Sequence, residues 1–349
     1  FVQLSTGYDS RLIVSALREL NYENVICISY GRKNNYESKI SRQIAEQLKY
    51  KWYFVDLNNK KQRENFKSKL YYEYKLYSDT LSSFSYVQDF FVLKELLQKK
   101  IINKNSLMLN GNTGDFISGG HLPDINQFKN YEKMNESEKI ETILENIISK
   151  HFMLWDNFFE DKQKERIKSL IESFFPKNFK SYLKNDFYKI FEYLEFYNRQ
   201  CNYVIQGQRV YDFFGLKWEL PLWSDEYLEF WKIIPYELKY KQKLYKDMLV
   251  SNNWGGVWKN IEVNKKTISP VWMRYLRNFL KVFFLFKDRK KWKSFDKKYL
   301  AYWMETNPHY PYFDYLEIVC DQRGARNSVA WHVESYINGK GFLLDDAKK

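Results

Sequence analysis

The first eleven residues, FVQLSTGYDSR, limit what this chain can become more than any other stretch. An apolar run of Phe1, Val2 and Leu4 leads straight into Ser5-Thr6-Gly7-Tyr8-Asp9-Ser10. A helical pattern follows, with Leu12, Ile13, Ala16, Leu17 and Leu20 on one face. A buried strand, a tight turn of small hydroxyl residues and a helix N-terminus together make an anion cradle. The unpaired N–H groups of a helix's first turn point at the ligand, and the helix dipole adds partial positive charge there. Ser5, Thr6 and Ser10 add hydroxyl donors, and Gly7 lets the backbone come close. Asp9 fits an anion site only when a divalent cation stands between carboxylate and phosphate, as magnesium does. An ordinary strand–turn–helix capped by Ser or Asp has the same outline, so the rest of the chain has to decide.

Residues 1 to 125 alternate strand and helix. FVQL, VICISY (25–30), WYFVDL (52–57) and SLMLN (106–110) read as strands. Ser10–Leu20, Glu37–Leu48 (with Ile40, Ile44, Ala45 and Leu48 aligned) and Gln88–Lys100 read as helices between them. That alternation predicts an α/β fold: a parallel sheet with right-handed crossovers and helices on both faces. Ligands in such sheets bind at the carboxyl ends of the strands. The turn at Asp9 and a second glycine-rich turn at Asp115 both lie at such ends, so the two can converge. After Pro123 the character changes. Glu136–Lys150, Asp161–Phe175 and Tyr188–Val204 have helical periodicity, and 126 to 349 is expected to be a mainly helical portion of the same domain.

The first turn is not a Walker A loop, which places Lys-Ser/Thr after a longer glycine-bearing loop. It resembles the pyrophosphate loop of the N-type ATP pyrophosphatases, Ser-Gly-Gly-x-Asp-Ser, with Thr6 in place of the first glycine. SLMLNGNTGDFISGGH (106–121) is similar to the segment Leu-Ser-Gly-(Glu/His)-Gly-x-Asp-Glu-x-x-Gly-Gly-Tyr of asparagine synthetase B and its relatives. GLKWELPLWSDEYLEFWKIIPYELKYKQKLYKDML (215–249) is similar to that family's Gly-Leu, Pro-Leu/Phe-Leu/Trp-Asp, helix, Leu-Pro and late lysine. The wording of STGYDSRL, YGRK and TGDFISGGH also resembles asparagine synthetase-like amidotransferases of bacterial surface-polysaccharide clusters.

The resemblance implies an adenine nucleotide alpha-hydrolase-like (HUP-type) sheet at 1–125, with 126–349 closing over the nucleotide. It also implies ATP and Mg2+ as cofactors and an AMP-forming amide ligase. By the same resemblance Ser5, Thr6, Gly7 and Ser10 clamp the β- and γ-phosphates, Asp9 and Asp115 ligate magnesium, and Lys246 pairs with a phosphate oxygen. Leu4, Ser29 and Tyr30 frame the adenine, and Gly111 and Asn112 complete the nucleotide side. A second family lysine, from Arg-x-Lys-x-Gly-Phe, is represented only by Lys265 or Lys266 in IEVNKKTISP, where the glycine and the spacing are missing. Asn112 stands where the family often has glutamate, and Phe116 where it has the second acid of Asp-Glu. Both departures argue against free aspartate as substrate. With Trp218, Trp223, Trp231 and Tyr211 near the expected pocket, they favour a sugar acid, such as a surface-glycan uronate, whose C–H faces stack on rings.

Composition narrows the remaining classes. Hydrophobic content of 44%, with 27 Phe, 29 Tyr and 11 Trp, supplies core material for one large or two modest domains. Cys27, Cys201 and Cys320 make neither a disulfide framework nor a zinc knuckle, and a reducing cytoplasm suits them. His121, His151, His309 and His332 have no metal spacing. A net charge of +13 suits nucleic acid, but no zinc module, RNP-type signature or helix-turn-helix accompanies it. No specific nucleic-acid partner is expected, and a tRNA-modifying pyrophosphatase or a catalytically silent nucleotide-binding relative are the competing readings. Arg274 to Lys298 is denser in charge than drift explains, around the apolar FLKVFFLF. It could lie on an anionic membrane surface at the inner face or hold an anionic substrate, and an amphipathic helix packed on the domain is the plainer account. The chain begins at Phe1, inside its first strand, so upstream sequence is expected. Family members with glutaminase activity carry a domain there with a catalytic Cys, and such a domain or subunit is an expected partner.

Overall fold

Strand and helix alternate in space as they do in sequence. In a computed structural model that describes residues 1–128, 130–155, 161–261, 271–285, 289–303 and 310–342, the chain opens with β1 (Val2–Gln3), α1 (Tyr8–Glu19), β2 (Ile26–Gly31), α2 (Tyr36–Gln47) and β3 (Lys51–Asp56). It continues with α3 (Asn59–Phe66), α4 (Lys69–Ser78), α5 (Phe90–Gln98), β4 (Leu107–Leu109) and α6 (Gly114–Ile117). Every strand and helix expected over 1–125 is present, with ends within two residues of those read from periodicity. Helices α3 and α4 had no such sign. The first buries only Gln62 and Phe66, and the second buries Tyr71 and Tyr74, so neither carries an apolar stripe long enough to register.

The strands form one parallel sheet in the order β3-β2-β1-β4-β5. Side chains alternate across it. Val2 and Cys27 meet Leu12 and Ile13 of α1, Ile44 of α2 and Leu48 just past its end on one face, and Ile28, Val55 and Met108 meet Phe90, Leu93 and Leu96 of α5 on the other. Burial on both faces is what a parallel sheet requires.

The helical remainder follows as α7 (Glu136–Ile147), α8 (Asp161–Ser173), α9 (Phe179–Asn185) and α10 (Tyr188–Glu195), which share a core of their own around Ile143, Ile190 and Phe191. A π-helix over Phe196–Ile205 and α11 (Arg209–Phe213) lead back to the sheet, where β5 (Lys217–Glu219) pairs with β4, Leu109 opposite Glu219. One strand of the sheet thus comes from the second half of the chain. Then come α12 (Asp225–Ile233), α13 (Tyr236–Lys239), α14 (Lys243–Asn252), α15 (Val271–Leu285), α16 (Arg289–Phe295), α17 (Tyr315–Cys320) and α18 (Ser328–Gly339). Among the described residues no helix is long and apolar enough to cross a membrane.

Candidate active site

Two turns at the carboxyl ends of the adjacent strands β1 and β4 build the site. In the first, Ser5 and Ser10 close the loop on itself. The Ser5 amide donates to Ser10 Oγ at 3.0 Å, the two hydroxyls lie 3.0 Å apart, and the Gly7 amide donates to Ser5 Oγ at 3.0 Å. Helices α2, α3 and α4 start under side-chain caps from Asn35, Asn58 and Ser68. Helix α1 starts at Gly7 with no side-chain cap, so its first-turn N–H groups face the loop. Arg11, fully buried, braces the loop from below. It donates to the Thr6 carbonyl at 2.8 Å and to the Val257 and Ile261 carbonyls at 3.2 and 3.1 Å.

The second turn is pressed against the first. A Cβ on Gly111 would stand 2.8 Å from the Ser10 amide nitrogen and 2.9 Å from Asp9 Cβ, so only glycine allows this approach. A Cβ on Gly114 would meet Asp9 Oδ1 at 2.8 Å and Leu222 at 2.5 Å. Close packing lets the Asp115 amide donate to Asp9 Oδ2 at 3.1 Å, across 106 positions of sequence. Asp9 Oδ1 accepts from the Tyr245 hydroxyl at 2.9 Å. Burial, and then the charge of Asp115, push the Asp9 carboxyl up to about 7. The charge of Asp115 beside the buried Asp9 carboxyl is an electrostatic cost that a divalent ion would relieve. Among the described residues no group of three or more His, Cys, Asp or Glu is arranged as a metal cage. Two carboxylates plus phosphates and waters are what magnesium takes, so the residues present fit it.

Behind Asp115 lies an ionic chain that the sequence did not reveal. His121 donates through Nε2 to Asp115 Oδ2 at 3.0 Å and through Nδ1 to Glu195 Oε1. Lys150 donates to Glu195 Oε2 at 2.6 Å. Burial alone would push the His121 imidazole down, but the bonds to Asp115 and Glu195 outweigh it and lift it to about 9. Burial would likewise raise Glu195, and His121 and Lys150 hold it at about 2. Glu195 ends α10 where the π-helix begins, 74 residues from His121; no local motif marks such a pair.

Lys246 reaches the loop from α14. Its Nζ lies 5.3 Å from the centre of the Tyr8 ring and donates to the Lys241 carbonyl at 2.7 Å. Its neighbour Tyr245, which holds Asp9, went unnoticed in the sequence because KLYKDML offers the tyrosine no motif of its own. Lys265 and Lys266 lie outside the described residues. Leu4 and Ser29 sit side by side at the ends of β1 and β2: the Leu4 amide donates to the Ile28 carbonyl at 2.8 Å, and Ser29 Oγ donates to the Leu4 carbonyl at 2.8 Å.

Tyr30 and Asn112 belong to a polar side-chain cluster on the α5 side. The Asn112 backbone amide donates to Asn110 Oδ1 at 2.9 Å, and its side-chain nitrogen is buried with no hydrogen-bond partner. Tyr86 donates to Gln88 Oε1 at 2.7 Å, and Gln88 also reaches the Tyr30 hydroxyl. Asp89 stands behind them and accepts from Tyr211 at 2.9 Å.

The expectation of an aromatic wall fails for two of its four rings. Tyr211 and Trp231 lie in the core, 0% and 3% exposed, and Phe116 is core too. Trp223 stacks on Phe196 with centroids 4.9 Å apart, and Trp218 is tied to Asp212 at 2.9 Å. Rings with so much area to hide pack inward first.

Residue 113 shows a further departure. Thr113 occupies the place of the second glycine in Leu-Ser-Gly-(Glu/His)-Gly and carries φ 78, with its hydroxyl buried and unpartnered. That backbone region suits glycine, not a β-branched residue.

No curated protein matches the chain. A family comparison matches asparagine synthase over residues 2–251, a span that holds both turns, all five strands and Lys246. The chain therefore belongs to the asparagine synthase family, ATP-dependent ligases built on a PP-loop sheet of the HUP type.

Proposed function

We propose that this chain adenylates the carboxylate of a hydroxylated substrate, a sugar acid, and converts it to an amide with release of AMP and pyrophosphate. The convergence of Asp9 and Asp115 on the uncapped start of α1 carries the reading. Hydroxide is too poor a leaving group for an amine to displace from a carboxylate. Attack of the carboxylate on the α-phosphorus of ATP solves this, because pyrophosphate leaves and the acyl adenylate then accepts ammonia or an amine. Magnesium on Asp9 and Asp115 would supply charge neutralisation at the phosphates. The α1 amides and Ser5, Thr6, Gly7 and Ser10 hold the phosphates in line, and Lys246 adds a point charge beside Tyr8. The nitrogen source is ammonia, released from glutamine by a glutaminase domain or subunit, or else an amine that binds directly.

The substrate class rests on the polar cluster beside Asn112. Asn112 stands where an acidic residue would serve an amino-acid substrate, and around it the structure groups Tyr30, Tyr86 and Gln88. Hydroxyls and amides of this kind match the hydroxyls of a uronic acid, whereas the ammonium of aspartate would lack its partner. The test is AMP formation by the purified chain with ATP and magnesium. A uronic acid, free or linked to a nucleotide or glycan, stimulates AMP release, aspartate does not, and Asp9→Asn abolishes it. Asparagine made from aspartate overturns the substrate assignment, and normal turnover in Asp9→Asn overturns the site.

A further inference from the structure

Helix α15 has more apolar surface than its packing uses. Its inner positions, Met273, Leu280 and Phe284, pack on Trp292, Phe295 and Leu300, with Phe284 5.0 Å from Phe295, ring centre to ring centre. Arg277 locks that side by donating two hydrogen bonds to the Asp296 carboxylate, at 2.7 and 2.8 Å. Beside this inner strip, Val271, Trp272, Tyr275, Leu276, Phe279 and Val282 face outward, each 40 to 74% exposed. At about 100° per residue they cover a continuous arc about 140° wide. Single exposed apolar residues need no explanation, but a contiguous face with this many aromatic rings does.

Charge decides what would cover it. Residues 271–303 hold ten Lys and Arg against two Asp, so most of the chain's net +13 is concentrated there. Of the described side chains, Lys281, Lys291, Lys293 and Lys297 are exposed, and one of the two acids, Asp296, is already engaged by Arg277. Rings of Trp, Tyr and Phe along one arc with cations at its flank suit the boundary between lipid headgroups and acyl chains. At 15 residues the helix is too short to span a bilayer and long enough to lie along one.

We infer that the outward face of α15 binds an anionic lipid surface, with Trp272, Tyr275 and Phe279 entering the headgroup layer and the lysines of α15 and α16 meeting lipid phosphates. Juxtaposed lipid phosphates make the local potential more negative, and each basic side chain near them strengthens binding about fivefold. The inference is independent of the reaction assigned to Asp9 and Asp115, since no residue of that site takes part.

Co-sedimentation of the full chain with vesicles tests it. Wild type pellets with phosphatidylcholine–phosphatidylglycerol vesicles and stays in solution with phosphatidylcholine alone, and added salt releases it. The exposed triple variant Trp272→Ser/Tyr275→Ser/Phe279→Ser binds at least about tenfold more weakly. Lys291→Gln/Lys293→Gln also weakens binding, and both variants keep wild-type circular dichroism. Equal pelleting of wild type and triple variant overturns the inference. So does failure to bind either vesicle, together with a dimer in sedimentation velocity that the triple variant dissolves; that outcome assigns the face to a second copy of the chain.

Discussion

Lys246 and Asp9 come to the same turn from elements more than two hundred residues apart. A lysine beside the leaving phosphates acts most when charge develops there. Lys246→Met is therefore expected to lower turnover about a hundredfold while the KM for ATP changes far less; a plain surface lysine would leave both alone. Thr113 makes the opposite case, a residue at odds with its backbone. Thr113→Gly removes a β-branched side chain from φ 78 and an unpartnered buried hydroxyl. Denaturant unfolding is expected to show a gain of about 1 kcal/mol, and a loss would mean that the hydroxyl has a partner in the working protein. The sequence made Asp9, Asp115 and Gly111 legible because each sits in a turn with its own pattern. Tyr245, Glu195 and Arg11 were hidden because their partners are set by tertiary packing, as in the bond from Arg11 to the Ile261 carbonyl.

Elements were legible where an apolar stripe was long. Helix α1 and strands β2 and β3 announced themselves, whereas β5 has three residues, KWE, with no alternation to read. The link from α17 to α18 was equally silent, since its order comes from charge. Asp321 accepts from Arg323 at 2.8 Å and from Trp331 Nε1 at 2.7 Å, and Arg323 turns to Glu334 of α18 at 2.6 and 2.7 Å. Burial would raise the Asp321 carboxyl, but these bonds outweigh it and hold it at about 2. An unfolded aspartate titrates at about 3.9. The native state therefore binds fewer protons between the two values, and the stabilisation is present above about 4 and lost as pH falls toward 2. Asp321→Asn should be less stable than wild type at pH 7 by about 2 kcal/mol. That gap should close on acidification in paired denaturation curves; a gap that stays constant would show that the charge is irrelevant.

At the scale of the molecule, the helical remainder is part of what makes the sheet. Strand β5 covers the β4 edge, while Val210, Tyr211 and Leu216 fill the core against α5. Trp231, Tyr245, Val257 and Trp258 fill the core against α1. Residues 1–125 expressed alone would lose all of these and leave the Arg11 guanidinium buried without two of its carbonyls. We expect that fragment to show no cooperative unfolding transition by calorimetry. A sharp transition would mean that the two parts of the chain are separate folding units.

Strands β1 and β4 are two and three residues long, and their pairing is fixed at Val2 opposite Leu109. A slip of one residue moves a strand about 3.3 Å, which exceeds the 3.1 Å that joins the Asp115 amide to Asp9, and turns its side chains to the wrong face. The spacing of the two acids is therefore not adjustable by degrees. A population with weakened pairing would contain fewer competent molecules, each working at full speed, and titration of active sites would fall in step with the observed rate.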